Sequence, residues 1–206
     1  GTPTAIRGAT ILDGEGNQID NGVVFFADGK VTAVGDASTA IPEGTTIVDG
    51  TGKYVTPGII DIHSHLGDYP SPGVSAHGAG KAATAPPPPS VWPQDPGFSR
   101  ALANGGVTAL TVLPGSANLM GGRGITLKNV PARTMQGMKF PDAPYTLKMA
   151  CGENPKRVYG AKGRMPSTRM GNIAVNRATW AKAAAFRKKA SGDRDLAMET
   201  LAGVLD

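Results

Sequence analysis

Two histidines separated by one residue end an apolar segment at residues 57–65, which reads PGIIDIHSH. Side chains alternate across a β-strand, so His63 and His65 point to one face and Ser64 points to the other. Two neutral imidazoles on one face supply half of the ligands of a metal site. The three isoleucines give the apolar, β-branched composition that is typical of a buried parallel strand. Strand histidines without a metal are the plainer interpretation of this pair taken alone.

The residues around the histidines resemble the beginning of the barrel in the amidohydrolase superfamily. The segment from Val55 to His65 matches the pattern V-x-P-G-x-[IV]-D-x-H-x-H, and the similarity extends to about residue 190. The nearest resemblance is to imidazolonepropionase-like and dipeptidase-like members. It implies an α/β fold: a metal-dependent hydrolase on a (β/α)8 TIM-type barrel, with a small β-sandwich formed by the chain before and after the barrel.

The chain before the histidines is predicted to form short strands. Alternating or apolar runs occupy residues 4–11, 22–26, 30–34 and 45–48, and Asp28-Gly29 forms a hairpin turn between two of them. We therefore expect residues 1–56 to be the N-terminal β-sandwich lobe. Residues 57–206 are expected to be the first half of the barrel.

The length of the chain argues against a complete barrel. A (β/α)8 barrel takes roughly 250 residues, whereas the whole chain has 206. Half a barrel would expose open sheet edges and an apolar face, which soluble proteins avoid. We expect a second polypeptide or a C-terminal fragment to complete it, and a higher homo-oligomer of the assembled unit.

Two loops are expected at the mouth of the barrel. Residues 67–97 contain four consecutive prolines and are too long for a simple connection, so they are predicted to form a lid or pocket wall. His77 is a candidate substrate contact there, although an exposed loop histidine is the more ordinary interpretation. The glycine-rich residues 120–124 lack the GxxxxGK[ST] pattern of a phosphate loop and are predicted to be another active-site loop.

The anionic metal ligand has two candidates near a predicted third strand at residues 145–150. By resemblance, amidohydrolases use either a glutamate at the end of that strand or a lysine carboxylated by carbon dioxide. The position of Glu153 puts it slightly ahead. Lys148 is the alternative bridging ligand, because carboxylation would turn a costly buried cation into a ligand, whereas an ion pair would be its ordinary role.

A basic segment follows this strand. The guanidinium group offers a planar fork to a carboxylate, so an acidic group of the substrate could be bound by Arg157, Tyr159, Arg164 and Arg169. Solvated charges on the barrel rim are an equally good interpretation of each. A helix is predicted over residues 172–189, with strong helix propensity in its Ala/Lys-rich second half.

Composition excludes several functional classes. The chain is 40% hydrophobic and 18% charged, with a net charge of +5, and its basic residues are not interleaved with aromatic ones, so nucleic-acid binding is not expected. No apolar run reaches the length of a membrane span. The single cysteine excludes an internal disulfide. The chain begins without Met, as an exported and processed protein would, and the compartment, periplasmic or cytoplasmic, stays open.

The resulting hypothesis is a metal-dependent amidohydrolase that cleaves an amide, peptide or cyclic-amide C–N bond. One or two divalent ions, with zinc the first choice, would activate a water molecule. By resemblance, two further histidines and the catalytic aspartate should come from later strands, and no histidine follows His77. The alternative is a non-catalytic binding or structural subunit that retains the fold.

Overall fold

The computed structural model describes residues 1–71, 91–188, 192 and 194–205. The chain divides into two compact units, Gly1–Gly58 and Ile59–Asp206. His77 lies outside the described residues, as does most of the predicted lid. In the part of the chain that is described, no helix is long and apolar enough to cross a membrane.

The first unit is one five-stranded sheet. Its strands are β1 (Thr4–Leu12), β2 (Gln18–Ala27), β3 (Lys30–Gly35), β4 (Thr46–Asp49) and β5 (Tyr54–Val55). The order is β3-β2-β1-β4, with β5 also paired to β1. Strands β1–β3 are antiparallel, whereas β4 and β5 run parallel to β1. The first four strands lie close to the predicted segments, and β5 was not predicted. Residues 1–58 form a single sheet, so they contain at most one layer of the expected sandwich.

The hairpin between β2 and β3 was correctly predicted. Asp28 and Gly29 have φ values of 51° and 75°, and this left-handed pair is the turn whose twist matches two antiparallel strands. On β1, the alternation of Ala5, Ala9 and Ile11 as buried residues gives the sheet one apolar face.

The described residues of the second unit form four strands and five helices. They are β6 (Ile59–Ser64), α1 (Pro96–Gly105), β7 (Val107–Val112), β8 (Met120–Lys128), α2 (Met135–Met138), β9 (Thr146–Met149), α3 (Glu153–Gly160), α4 (Arg169–Arg187) and α5 (Leu196–Ala202). The sheet order is β6-β7-β8-β9. Only β6 and β7 are parallel, since β8 is antiparallel to both of its neighbours. This mixed α/β sheet does not close into a barrel within the described residues.

The glycine-rich segment is a strand and not the predicted active-site loop. Residues 120–124 begin β8, which lies between β7 and β9. A Cβ atom on Gly124 would collide with the side chains of Leu113 and Thr146, and one on Gly121 would lie 3.0 Å from Cγ of Lys148. The glycines therefore let β8 approach its neighbours closely, and that requirement, not loop flexibility, explains their presence.

The core of this unit lies on one face of β7 and β8. Phe98 of α1 packs there with Leu110, Val112, Ile125 and Leu127. A second cluster joins Met120 to Ala183 of α4 and Leu201 of α5. Helix α1 is fixed at its start by the Asp95 carboxylate, which accepts a hydrogen bond from the amide of Gly97 at 2.7 Å.

Strand β6 is less covered than its composition predicts. Ile59, Ile60 and Ile62 are 56%, 64% and 77% exposed, so the expectation of a fully buried strand is wrong for the described residues. A parallel strand is buried when the sheet continues on both sides of it and layers cover both faces. Among the described residues β6 pairs with β7 alone.

Candidate metal centre

The two histidines lie at the carboxyl end of β6 on the same face. Their ring centroids are 5.3 Å apart and the ring planes are nearly perpendicular, at 82°. The carboxylate of Asp61 accepts a hydrogen bond from the backbone N–H of His63 at 3.0 Å. Ser64 points away and is buried, as the alternation of a strand requires.

His65 is oriented by the backbone of the neighbouring strand. Its Nδ1 atom lies 2.6 Å from the carbonyl oxygen of Leu113, directly after β7. A carbonyl only accepts hydrogen bonds, so Nδ1 carries the proton and Nε2 keeps its lone pair. Metal-binding histidines are commonly fixed in this way by a carbonyl or a carboxylate behind them. The Nε2 atom of His65 therefore keeps the lone pair that a metal ligand requires.

Lys148 of β9 is the residue that the structure brings to the histidines. It is buried, and its Nζ atom lies 3.1 Å from Nε2 of His63. Burial lowers the pKa of Lys148, against the attraction of Asp68. Burial also lowers the pKa of His63, and the charges of Lys148 and His65 lower it further. Both groups are therefore biased toward their neutral forms, in which they can act as ligands.

Asp68 is a member of this cluster that the sequence analysis missed. Both of its carboxylate oxygens are buried and have no hydrogen-bond partner among the described residues. Burial raises its pKa to about 6, although the charges of His65 and Lys148 oppose the rise. The sequence signal was weak, because Gly67-Asp68 after the histidines resembles an ordinary turn.

Glu153 lies elsewhere, on the surface. It begins α3, is exposed, and forms an ion pair with Lys156 at 2.9 Å. The hydrogen bond from Lys156 lowers its pKa, and the charges of Arg169 and Arg157 add to this. The contacts thus favour Lys148 over Glu153 as the partner of the histidines, the reverse of the order expected from the sequence.

The turn between β9 and α3 is held by a buried amide of α4. The side chain of Asn172 donates hydrogen bonds to the carbonyl oxygens of Cys151 and Gly152, at 3.1 and 2.8 Å. Asn172 is fully buried. This contact fixes where β9 ends, and sequence reasoning saw Asn172 only as the start of a helix.

The basic residues divide into two groups. The Tyr159 hydroxyl donates a hydrogen bond to the side chain of Asn118, and the Arg164 guanidinium lies 5.5 Å from the centre of the Tyr159 ring. Arg157 and Arg169 instead act on Glu153. All three arginines are exposed.

The cluster fits the first part of a metal site. It offers two imidazoles and a lysine amine that carboxylation would make an oxygen ligand. Within residues 1–71, 91–188 and 194–205, no three His, Cys, Asp or Glu side chains converge as a metal-binding group. Further ligands would be needed for tight binding of zinc, which prefers four.

Two curated proteins are similar to this chain in sequence. The chain is 32% identical to the amidohydrolase TasK of Hapsidospora irregularis, over the whole chain and 24% of that protein. It is 49% identical over 57 residues to an imidazolonepropionase of Stenotrophomonas maltophilia, covering 27% of this chain and 14% of that one. No family model matches.

A solved structure gives the same result for the fold. An amidohydrolase from Thermotoga maritima superposes with a TM-score of 0.84 and 35% identity, covering 98% of this chain and 55% of that one. The chain thus spans about a quarter of the length of TasK and about half of the Thermotoga maritima amidohydrolase. Fold and site define an α/β unit with a histidine pair at a strand end. The chain belongs to the amidohydrolase superfamily, as the motif predicted.

Proposed function

We propose that this chain carries part of the active site of a metal-dependent hydrolase that cleaves an amide, peptide or cyclic-amide C–N bond. The observation that carries the proposal is the contact at 3.1 Å between buried Lys148 and His63, beside an oriented His65. The relatives named above are hydrolases of this superfamily. A bound divalent metal, with zinc the first candidate as one or two ions, would supply a water of lowered pKa and polarise the substrate carbonyl.

The residues of this chain would hold and orient that metal. His65 would bind it through Nε2, because Leu113 occupies Nδ1. His63 would use Nε2, the atom that Lys148 contacts. Reaction of the neutral Lys148 amine with carbon dioxide would give a carbamate and one proton, replacing a buried cation by an anionic oxygen ligand. Glu153 is the second candidate for this ligand.

Further ligands would come from polypeptide beyond these residues. Strands β6 and β9 each pair on one side only among the described residues, and three isoleucines of β6 are exposed. Open edges and apolar strand faces are normally covered. We propose that a second polypeptide or a C-terminal segment covers them and brings the remaining histidines and a catalytic aspartate, and that the completed unit forms a higher homo-oligomer.

The basic residues would bind an acidic group of the substrate. Arg164 lies over Tyr159, and Arg157 and Arg169 surround the start of α3. Exposed guanidinium groups offer paired donors to a carboxylate. His77 is proposed as a further contact on sequence grounds alone.

A second candidate function is a binding or structural subunit without catalysis. It is favoured by the lack of three converging His, Cys, Asp or Glu side chains in the part of the chain that is described.

Metal analysis of the purified assembly separates the two functions. We expect stoichiometric zinc, or another divalent metal, together with hydrolysis of a cyclic amide or a dipeptide. Denaturing mass spectrometry and native sizing of the same sample would identify every polypeptide present. A sample that stays free of metal after supplementation would establish the binding subunit.

A further inference from the structure

Asp68 occupies a position that is unusual for a carboxylate. Both of its oxygens are buried without a hydrogen-bond partner among the described residues. Removing a carboxylate from water without replacing its hydrogen bonds costs several kcal/mol, and native proteins rarely leave such groups unpaired. The arrangement therefore indicates a partner that the polypeptide itself does not provide in the described region.

The backbone around Asp68 is firmly held. The amide of Asp68 donates a hydrogen bond to the carbonyl of His65 at 3.1 Å, which closes a turn. Gly67 has φ +77°, and a Cβ there would collide with Val91 and Phe98. The Gly67 carbonyl also accepts a hydrogen bond from the amide of Trp92 at 2.9 Å. This turn returns the chain toward the histidine that it follows, so the placement of the carboxylate is built into the fold.

The charged groups that act on Asp68 are those of the proposed metal site. His65 and Lys148 are the two residues whose charges it senses. The other carboxylate nearby, Asp61, is already engaged with the backbone N–H of His63. Two neutral imidazoles bring no negative charge to a divalent cation, and neither does the neutral amine of Lys148 before it is carboxylated. A free carboxylate at this point supplies the missing charge.

We infer that Asp68 is a positioning residue that draws a divalent cation to the pair His63 and His65. This inference rests on the proposed function, since it assumes that the histidines bind a metal. It assigns Asp68 a role outside the direct ligand set, because it does not converge with both histidines as a ligand group. Carboxylates behind metal ligands typically change metal affinity by about 10- to 100-fold.

The test is titration of the metal-free protein with Zn²⁺ and Co²⁺, following heat release and the visible absorption of cobalt. Asp68→Asn should bind either ion about 10-fold or more weakly than the unaltered chain. Its metal-free form should nevertheless melt at a higher temperature, because the buried unpaired charge is gone. Asp68→Glu should retain part of the affinity. The matched control is Asp142→Asn, at an exposed turn of the same unit, which should change neither quantity.

Asp68→Asn should lower the metal affinity and raise the melting temperature of the metal-free protein. This combination distinguishes a positioning role from a structural one. Equal affinity of Asp68→Asn and the unaltered chain would overturn the inference while leaving the proposed function intact. Loss of affinity together with a lower melting temperature would show a structural role and overturn it as well. If the purified assembly with unaltered Asp68 bound neither ion, the proposed function would fail and the inference with it.

Discussion

Two groups of ionisable residues flank the turn after β9, and they differ in how their charges are compensated. Lys148 and the carboxylate oxygens of Asp68 are buried, and Lys148 contacts the exposed His63, so this cluster contains few hydrogen bonds. Glu153 and Lys156 form an exposed ion pair that satisfies itself. Exposed pairs contribute little to stability or function, whereas buried groups without full partners are found where ligands bind. The comparison teaches that incomplete pairing distinguishes the candidate site from the surface ion pair better than the kind of residue does.

The largest effect should follow removal of either histidine of the candidate site. His63→Ala and His65→Ala should each lower metal affinity by more than about 100-fold, because a direct ligand matters more than the groups behind it. Hydrolysis by the assembly should be abolished, while the circular dichroism spectrum stays unchanged. The measurement is metal content by mass spectrometry together with the spectrum. Stoichiometric metal and full activity in either variant would contradict the site.

Lys148→Ala should have the next largest effect. It removes the group that contacts His63, and with it the proposed carbamate. Activity should fall strongly and should be partly restored by added acetate or propionate, which can occupy the space of the missing carboxylate. The assay is initial rate against carboxylate concentration. Absence of any rescue, with metal still bound, would favour an ordinary structural role for the lysine.

Asn172→Ala tests whether the turn behind the cluster depends on α4. Loss of its two donated hydrogen bonds should lower the free energy of unfolding by about 1–3 kcal/mol. The matched control is Asn176→Ala on the same helix, also buried, whose side-chain amide makes only a weak 3.8 Å contact with Sγ of Cys151. Urea denaturation of both variants is the measurement. Equal losses in the two would show that the effect comes from packing alone.

The pH dependence of stability should reveal Asp68. Its pKa is raised from 3.8 to about 6, so between these values the folded chain holds more protons than the unfolded one. Stability of the metal-free protein should therefore fall as pH rises from about 4 to 6. At pH 7, Asp68→Asn should be more stable by about 1–2 kcal/mol, less than the full shift implies because the residue is only partly buried.

Urea denaturation of both proteins at pH 4 and pH 7 measures this difference. The advantage of Asp68→Asn should vanish at pH 4, where the native carboxyl of Asp68 is already protonated. A difference that is the same at both pH values would show that its charge is not responsible.

The sequence was sufficient to predict individual strands and turns. It was insufficient to predict which strands lie next to one another. The hairpin at Asp28-Gly29 and the strand that carries His63 are specified by local turn chemistry and alternation, which act over a few residues. The antiparallel placement of β8 depends on contacts of Gly124 with residues distant in the chain, so the glycines were misread as a loop.

The same limit applies to the candidate site. His63 and His65 share a strand and could be paired from spacing alone. Lys148 is 85 residues away from His63, and only the packing of β9 brings it there. Asp68 is close in sequence, but its significance comes from burial without a partner, which no local pattern encodes. The sequence therefore did not indicate that Lys148, rather than Glu153, lies beside His63.

The smallest effect is expected for Glu153→Gln, and it sharpens the comparison with Lys148. The substitution keeps the size of the side chain and removes only its charge, which is exposed and compensated by Lys156. Because solvent screens such a pair, metal affinity should change less than about twofold and hydrolysis should respond to added carbon dioxide or carboxylates as it does in the unaltered protein. Isothermal titration with Zn²⁺ and a rate assay at two bicarbonate concentrations measure both. A large loss of metal in Glu153→Gln, with Lys148→Ala unaffected, would mean that α3 moves toward the histidines on metal binding and that Glu153 is the anionic ligand after all.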